Sequence, residues 1–292
     1  MIEKYGQAFK ELRESKNVST RFLSELSEKS NSSRKISASN ISKFEREETN
    51  IGFPKIVNLL NVLNIPINEY ILKVEELQDS VMDDFNGINE AFRKNDISRL
   101  QFLEDRYLAS KEELIRNEHM SVLCHALKKR LTKEPVETAK IEVIQHYLFS
   151  IDNWQYYEVA LFTNIIFIFD GEVIGLLAKK AVKVLNNYNQ ISRYSDEMVL
   201  MLMNVVVVML EKRQLDLVRT YIFKIEDYLS GSRYIYERIK CSFLNGCCYY
   251  LTGDKDKGEK LAEAAVRNME LFELENEAKA HKIYFEELKK ND

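Results

Sequence analysis

Two sets of residues in this 292-residue chain have types and spacing suited to chemistry, and both suit binding rather than catalysis. The first is the run Ser37-Ala38-Ser39-Asn40-Ile41-Ser42-Lys43-Phe44-Glu45-Arg46. Ile41 and Phe44 are one helical turn apart and anchor one face, which leaves Ala38, Ser39 and Lys43 on the opposite face. There Ser39 can bond a base edge or a phosphate, Lys43 can reach guanine acceptors or phosphate, and Ala38 can meet a thymine methyl. Asn40, Arg46 and Arg21 are better placed for backbone phosphates. The second set is made of amides. Asn164 stands inside the apolar run Val159 to Phe169, and Asn204 inside Val199 to Leu210, with Asn245 a weaker third candidate. A buried amide without partners costs roughly 1–3 kcal/mol, so each must be satisfied. A peptide backbone would do so, since it offers donor and acceptor together, and so would a neighbouring helix or an ordered water. Helical spacing groups Asn164 with Leu161 and Ile168, and Asn204 with Met201 and Val208. Each amide is therefore expected in an apolar groove that could receive the side chains of a short hydrophobic peptide.

Nothing points to an enzyme. No glycine-rich phosphate loop is present, and three of the four histidines (His119, His125, His146 and His281) lie in helical charged or apolar patterns without an evident serine or cysteine partner. His125 follows Cys124 directly, but adjacent positions on a helix point in different directions. The four cysteines form no CxxC pair and complete no metal spacing with the histidines, so neither metal nor cofactor is expected. Acidic pairs such as Asp83-Asp84 and Glu286-Glu287 read as solvated helix faces.

The elements that must position these residues are helices. Three prolines and nine glycines in 292 residues are too few for the many tight turns of a sheet protein. Tyr5, Phe9 and Leu12 recur at helical spacing, as do Phe22, Leu23 and Leu26 behind a Ser19 cap. Ser37 starts a third helix, Pro54 a fourth, and Ile67 to Leu77 reads as a fifth. Residues 1–66 carry 11 Lys and Arg against 8 Asp and Glu, whereas the remainder carries 31 against 38. A mildly basic head on an acidic body suits a protein that touches phosphate at one end. From about Asp79 onward helices alternate with breaks near Glu134-Pro135, Asp152-Asn153, Asp170-Gly171, Ser192 to Ser195, Lys212-Arg213, Ser230-Gly231-Ser232 and Thr252-Gly253-Asp254. Gly246, Tyr249, Gly253-Asp254, Gly258 and Ala265 follow the small and aromatic spacing of a tetratricopeptide-like pair, and Trp154 repeats part of it. The expected division is a helix-turn-helix DNA-binding domain at 1–66, a linker helix at 67–78, and a helical repeat domain for ligand binding and dimerisation at 79–292. The charged segment Met1 to Lys16 is no signal peptide, and Val199 to Leu210 is too short to cross a bilayer. A cytoplasmic protein without membrane partners is expected.

The run from Ser37 to Arg46 resembles the recognition helix of phage-repressor-type helix-turn-helix domains, and Arg13 and Glu45 match an ion pair that braces them. The whole chain resembles the Rgg/MutR family of Gram-positive regulators, part of a wider group of peptide-pheromone receptors. The segments that carry this are Lys43 to Arg46, Ile56 to Tyr70, and Tyr147 to Ser150 through Trp154 and Tyr156-Tyr157-Glu158 to Asn164. The resemblance implies an all-α fold, with a phage-repressor-like head followed by a tetratricopeptide-like repeat body. It also implies a homodimer that binds double-stranded DNA and, on the concave face of the repeats, a short linear peptide of a quorum-sensing system. Two departures stand out. The loop around Asn31 to Lys35 is longer than in the family, and Phe167 stands where peptide-responsive relatives often carry an arginine. A regulator without peptide control, or a repeat protein that sequesters a partner, remains an alternative reading of the same residues.

Overall fold

In the computed structural model, which describes residues 4–30, 32–77, 81–112, 114–187, 192–229 and 234–290, serine caps start the second and third helices. Ser19 accepts the Phe22 amide at 3.2 Å and opens α2 (Thr20–Ser30), which follows α1 (Tyr5–Ser15). Ser37 accepts the Asn40 amide at 3.3 Å and opens α3 (Ala38–Glu45). Each cap satisfies a backbone donor that has no intrahelical acceptor. Pro54 lies in the first turn of α4 (Phe53–Val62), where its missing N–H costs nothing, and α5 spans Ile67–Leu77. The longer loop closes as a 3-10 turn, Ser32–Arg34, while Asn31 lies outside the described residues.

These helices enclose one core of Ala8, Phe9, Leu23, Ile41, Phe44, Ile56, Leu59 and Leu60, joined by Tyr70 and Val74 from α5. The helix expected as a linker thus packs on α1, with Tyr70 Oη donating to Tyr5 O at 3.1 Å and Phe9 meeting the Tyr70 ring edge-on at 6.4 Å. Phe22, grouped by spacing with Leu23 and Leu26, is instead half exposed, because the inward face of α2 runs through Leu23 and Ser27. The chain divides into two compact units, Met1–Glu90 and Ala91–Asp292, and the boundary expected at 78/79 lies outside the described residues.

The second unit begins within α6 (Val81–Arg93). It continues through α7 (Ile97–Ala109), α8 (Ile115–Thr132), α9 (Thr138–Ser150), α10 (Tyr156–Ile165), α11 (Gly171–Asn187) and α12 (Ser192–Glu211). The last four helices are α13 (Leu215–Tyr228), α14 (Ile235–Leu251), α15 (Lys255–Leu271) and α16 (Glu275–Lys290). Successive helices from α11 to α16 pack as neighbours, and α8, α10, α12 and α14 also pack in turn on one another. That second relation makes the unit a two-layered repeat array, in which each helix buries a face left open by its neighbours. Ser192 to Ser195, expected as a break, lies inside the first turn of α12. The expected break at Ser230-Gly231-Ser232 lies outside the described residues. Trp154 anchors the entry to α10: its indole is fully buried, donates to Leu148 O at 3.0 Å, and sits 5.7 Å from the Phe162 ring.

The small residues of α14 and α15 do what their spacing predicts. A Cβ on Gly258 would lie 2.4 Å from the Tyr250 nitrogen, and one on Gly246 would lie 2.7 Å from the Ala262 nitrogen. Gly253 turns the chain between them at φ +98°. Alanine at 258 gains about 1 kcal/mol of helix propensity. It loses more, because the atom in its way is backbone, and overpacking typically costs about 1–3 kcal/mol. Gly258→Ala is accordingly expected to lower the melting temperature of the full chain. A melting curve shifted upward would mean that α14 and α15 do not approach this closely.

Candidate functional site

The outward face of α3 is built from its inward one. Ile41 and Phe44 are buried, and the helix turns Ser39, Asn40 and Lys43 to solvent, with Ala38 half-buried and Arg46 exposed just beyond its end. Lys43 has no ion-pair partner among the described residues. Arg46 is already paired, with Nε and Nη2 donating to Glu48 at 2.6 and 3.0 Å, and this carboxylate raises the guanidinium pKa. Arg21 lies 3.6 Å from Glu25, and Lys35 lies 2.6 Å from Glu28. Exposed pairs of this kind are worth about 0–1 kcal/mol, so a phosphate can displace the carboxylate.

A buried fork holds this face in place. Arg13 of α1 donates from Nε to Glu45 Oε1 at 2.6 Å and from Nη2 to Oε2 at 2.9 Å, and its Nη1 reaches Val18 O at 2.6 Å. Both side chains are under one-tenth exposed, and the bond to Glu45 raises the arginine pKa against the cost of burial. Gly6 lets α3 seat directly on α1, since a Cβ there would fall 1.8 Å from Phe44 O. The position of α3 is therefore fixed at two points rather than left to packing alone.

In the second unit the amides are placed differently from the expectation. From Met198 to Leu210 the side chains of α12 are buried except along one stripe, Leu200, Asn204 and Val207, which Glu211 extends. Met201 and Val208, expected beside Asn204 in an open groove, are core residues, and so is Leu161 beside Asn164. The reason is that α12 is covered by neighbours on nearly every side, so the face rich in methionine and valine cannot be the open one. Asn204 Nδ2 donates to Thr163 O at 3.3 Å, near the end of α10 where the helix tightens into a 3-10 turn, Ile166–Ile168. Asn164 Nδ2 donates to Ala160 O at 2.8 Å in its own helix. The two amides are thus brought together, one beside the carbonyl that the other secures. Asn245 is not with them. It lines a separate cleft with Arg219, Ile222, Phe223 and Glu226 of α13.

Sequence spacing alone could not reveal the cations at this face. The Arg130 guanidinium of α8 lies 4.6 Å from the centre of the Phe167 ring and 3.2 Å from Glu211. A cation therefore stands at Phe167 after all, supplied from a helix distant in sequence. Further along, Val207 opens onto a cavity of about 260 Å³ shared with Lys240, Phe243 and Leu244 of α14 and Ala280, His281 and Tyr284 of α16. Burial lowers the Lys240 pKa, with Glu237 one turn earlier partly offsetting it, and no carboxylate lies within ion-pair distance of it among the described residues. The other polar groups are internal supports. His119 Nδ1 lies 2.8 Å from Tyr157 Oη, and burial brings its pKa to about 4, so it is neutral. Cys124, Cys241, Cys247 and Cys248 are all buried, with burial raising the Cys241 pKa to about 12. No helix among the described residues is long and apolar enough to cross a membrane.

A repressor-like head with one outward helix, joined in sequence to a tetratricopeptide-like array, defines an all-α regulator of transcription rather than an enzyme. The chain matches the family model for the C-terminal domain of the HTH-type transcriptional regulator Rgg over residues 100–283, and it belongs to the Rgg family. Solved structures share the fold. A candidate transcriptional regulator from Listeria monocytogenes EGD-e superposes with a TM-score of 0.80 at 19% identity, over 100% of this chain and 99% of that one. The SHP pheromone receptor Rgg2 of Streptococcus dysgalactiae gives 0.75 at 21% identity, over 97% and 99%. PrgX, solved as a complex with cCF10, gives 0.70 at 13% identity, over 99% and 93%.

The Arg13–Glu45 fork makes a quantitative prediction. Arg13→Ala leaves Glu45 buried and unpaired, which typically costs about 3–5 kcal/mol. The double variant with Glu45→Gln is expected to be less damaged than the two single losses added together. Melting curves of the four proteins that showed simple additivity would remove the fork as a brace.

Proposed function

We propose that this Rgg-family protein is a sequence-specific DNA-binding regulator, acting as a homodimer in the cytoplasm and controlled by a short hydrophobic peptide bound in its repeat domain. The observation that carries the reading is the single open stripe of α12. It offers an amide, Asn204, between two apolar side chains, Leu200 and Val207, with Asn164 close by and Arg130 on Phe167. An extended peptide needs backbone hydrogen-bond partners at intervals and apolar contacts between them, and this stripe supplies both. Asn204 uses one N–H on Thr163 O, and its second N–H and its carbonyl oxygen have no other partner among the described residues. The bacterial peptide pheromone/receptor complex that shares this fold, and the pheromone receptor function named for Rgg2, support this reading. Control then follows if the peptide prefers one arrangement of the repeats, which biases the heads of the dimer toward or away from DNA.

For the head, Ser39 and Lys43 would read base edges, with Ala38 against a thymine methyl and Asn40, Arg46 and Arg21 on phosphates. Two half-sites about one helical turn apart suit one short helix per protomer. Lys43→Ala is expected to weaken operator binding by a factor reflecting roughly 1–3 kcal/mol, and binding to random duplex much less. Equal losses on both duplexes in a gel-shift titration would make Lys43 a phosphate contact.

The peptide reading is tested at Asn204. Replacement by leucine keeps the volume close and removes both hydrogen-bonding functions, including the bond to Thr163 O. Stability should therefore fall modestly, while peptide affinity falls roughly tenfold, a loss near 1.4 kcal/mol. Calorimetric titration at a temperature where both forms are folded separates the two effects. Unchanged affinity in both Asn164→Leu and Asn204→Leu would end the proposed site.

A further inference from the structure

We infer that the cavity between α12, α14 and α16 receives the carboxy-terminal residue of the peptide, with its apolar side chain against Val207, Phe243 and Leu244 and its α-carboxylate against the Lys240 ammonium. The inference rests on the peptide reading above and adds which end of the ligand is held and by what. The cavity continues the open stripe of α12, because Val207 lies one helical turn beyond Asn204 on the same face. Its volume of about 260 Å³ is below the roughly 300–1,000 Å³ of pockets that enclose a whole small-molecule ligand, and it suits a terminal residue of a longer one.

Charge decides what that residue must bring. Lys240 is half-buried, and among the described residues its ammonium has neither an ion pair nor a hydrogen bond; Glu237, one turn earlier on α14, acts on it only at longer range. An ammonium taken from water without a partner is costly, and a carboxylate arriving with the ligand would repair that cost. His281 takes no part in holding it: Nδ1 donates to Glu277 O at 2.7 Å and burial lowers the pKa, so Nε2 of the neutral ring is an acceptor and Lys240 is the cation of this cavity. Tyr284 also lines the cavity, and its buried Oη, without a hydrogen-bond partner, lies on the side of Glu211 and Arg213 and the next cavity. The terminal residue is favoured over an acidic side chain because it alone presents an apolar group and a carboxylate on one Cα, as a cavity lined by Val207, Phe243, Leu244 and Ala280 with one cation requires.

The test uses full-length protein and two pools of short peptides of random apolar sequence, identical except that one ends in a free carboxylate and the other in a carboxamide. Affinity selection should retain the carboxylate pool roughly tenfold more strongly. Lys240→Met should abolish that preference and Lys240→Arg should keep it, while Lys240→Met raises the melting temperature of the free protein by removing an unpaired cation. Equal retention of both pools by the wild-type chain overturns the carboxylate anchor and leaves the peptide reading intact. Retention of neither pool overturns both. The comparison of pools on the wild-type chain needs no variant to fold.

Discussion

The covering of α12 is the constraint on which the second unit depends. Ten side chains between Met198 and Leu210 are buried, and a helix so enclosed has only one direction left in which to meet anything else. Apolar surface removed from water stabilises by roughly 25 cal/mol per Å², so most of the methionines and valines go to the crowded sides and the stripe that holds Asn204 and Glu211 is left open. Leu200, Asn204, Val207 and Glu211 are that stripe, and the features around it follow from the same packing. Asn204 secures Thr163 O where α10 gives way to a 3-10 turn, and Glu211 fixes Arg130 over Phe167. The candidate ligand face is thus the remainder of a core, with polar groups already oriented by what they hold.

The head solves a different problem with other means. The eight-residue α3 is too short to hold itself, since isolated helices below about 12–15 residues are marginal in water. Its position comes from outside: Phe44 and Ile41 beneath it, Gly6 admitting its backbone against α1, and Arg13 gripping Glu45 at its last residue. Buried charge pairs are weak sources of net stability, but they fix geometry well. For the proposed presentation of Ser39 and Lys43 to DNA, fixed geometry counts for more than added stability.

Local features were the ones legible from the sequence. Ser19, Ser37 and Pro54 announce helix starts because capping and proline effects act within a single turn, and Gly246 and Gly258 announce close approach because only missing side chains permit it. The orientation of α12 was not legible, because a helix apolar on every side has no periodicity to reveal its open face. That is why Met201 and Val208 were expected in a groove and lie in the core. Asn245 shows the same limit: its residue type matches Asn204, but only the packing of α13 on α14 shows that it lines another cleft. Arg130 and Lys240 escaped notice because nothing nearby in sequence marks them. They matter only through Phe167, Glu211 and the cavity walls, which the fold brings from distant segments.

The central claim is that the open stripe of α12 is where a peptide lies, and a photo-reactive side chain placed on it tests this most directly. Full-length protein carrying a benzophenone amino acid at Val207, or for comparison at the exposed Phe223 of α13, would be irradiated with a pool of short apolar peptides. The account predicts that peptide is captured at position 207 and not at 223. Capture at both positions alike, or at neither, would contradict it.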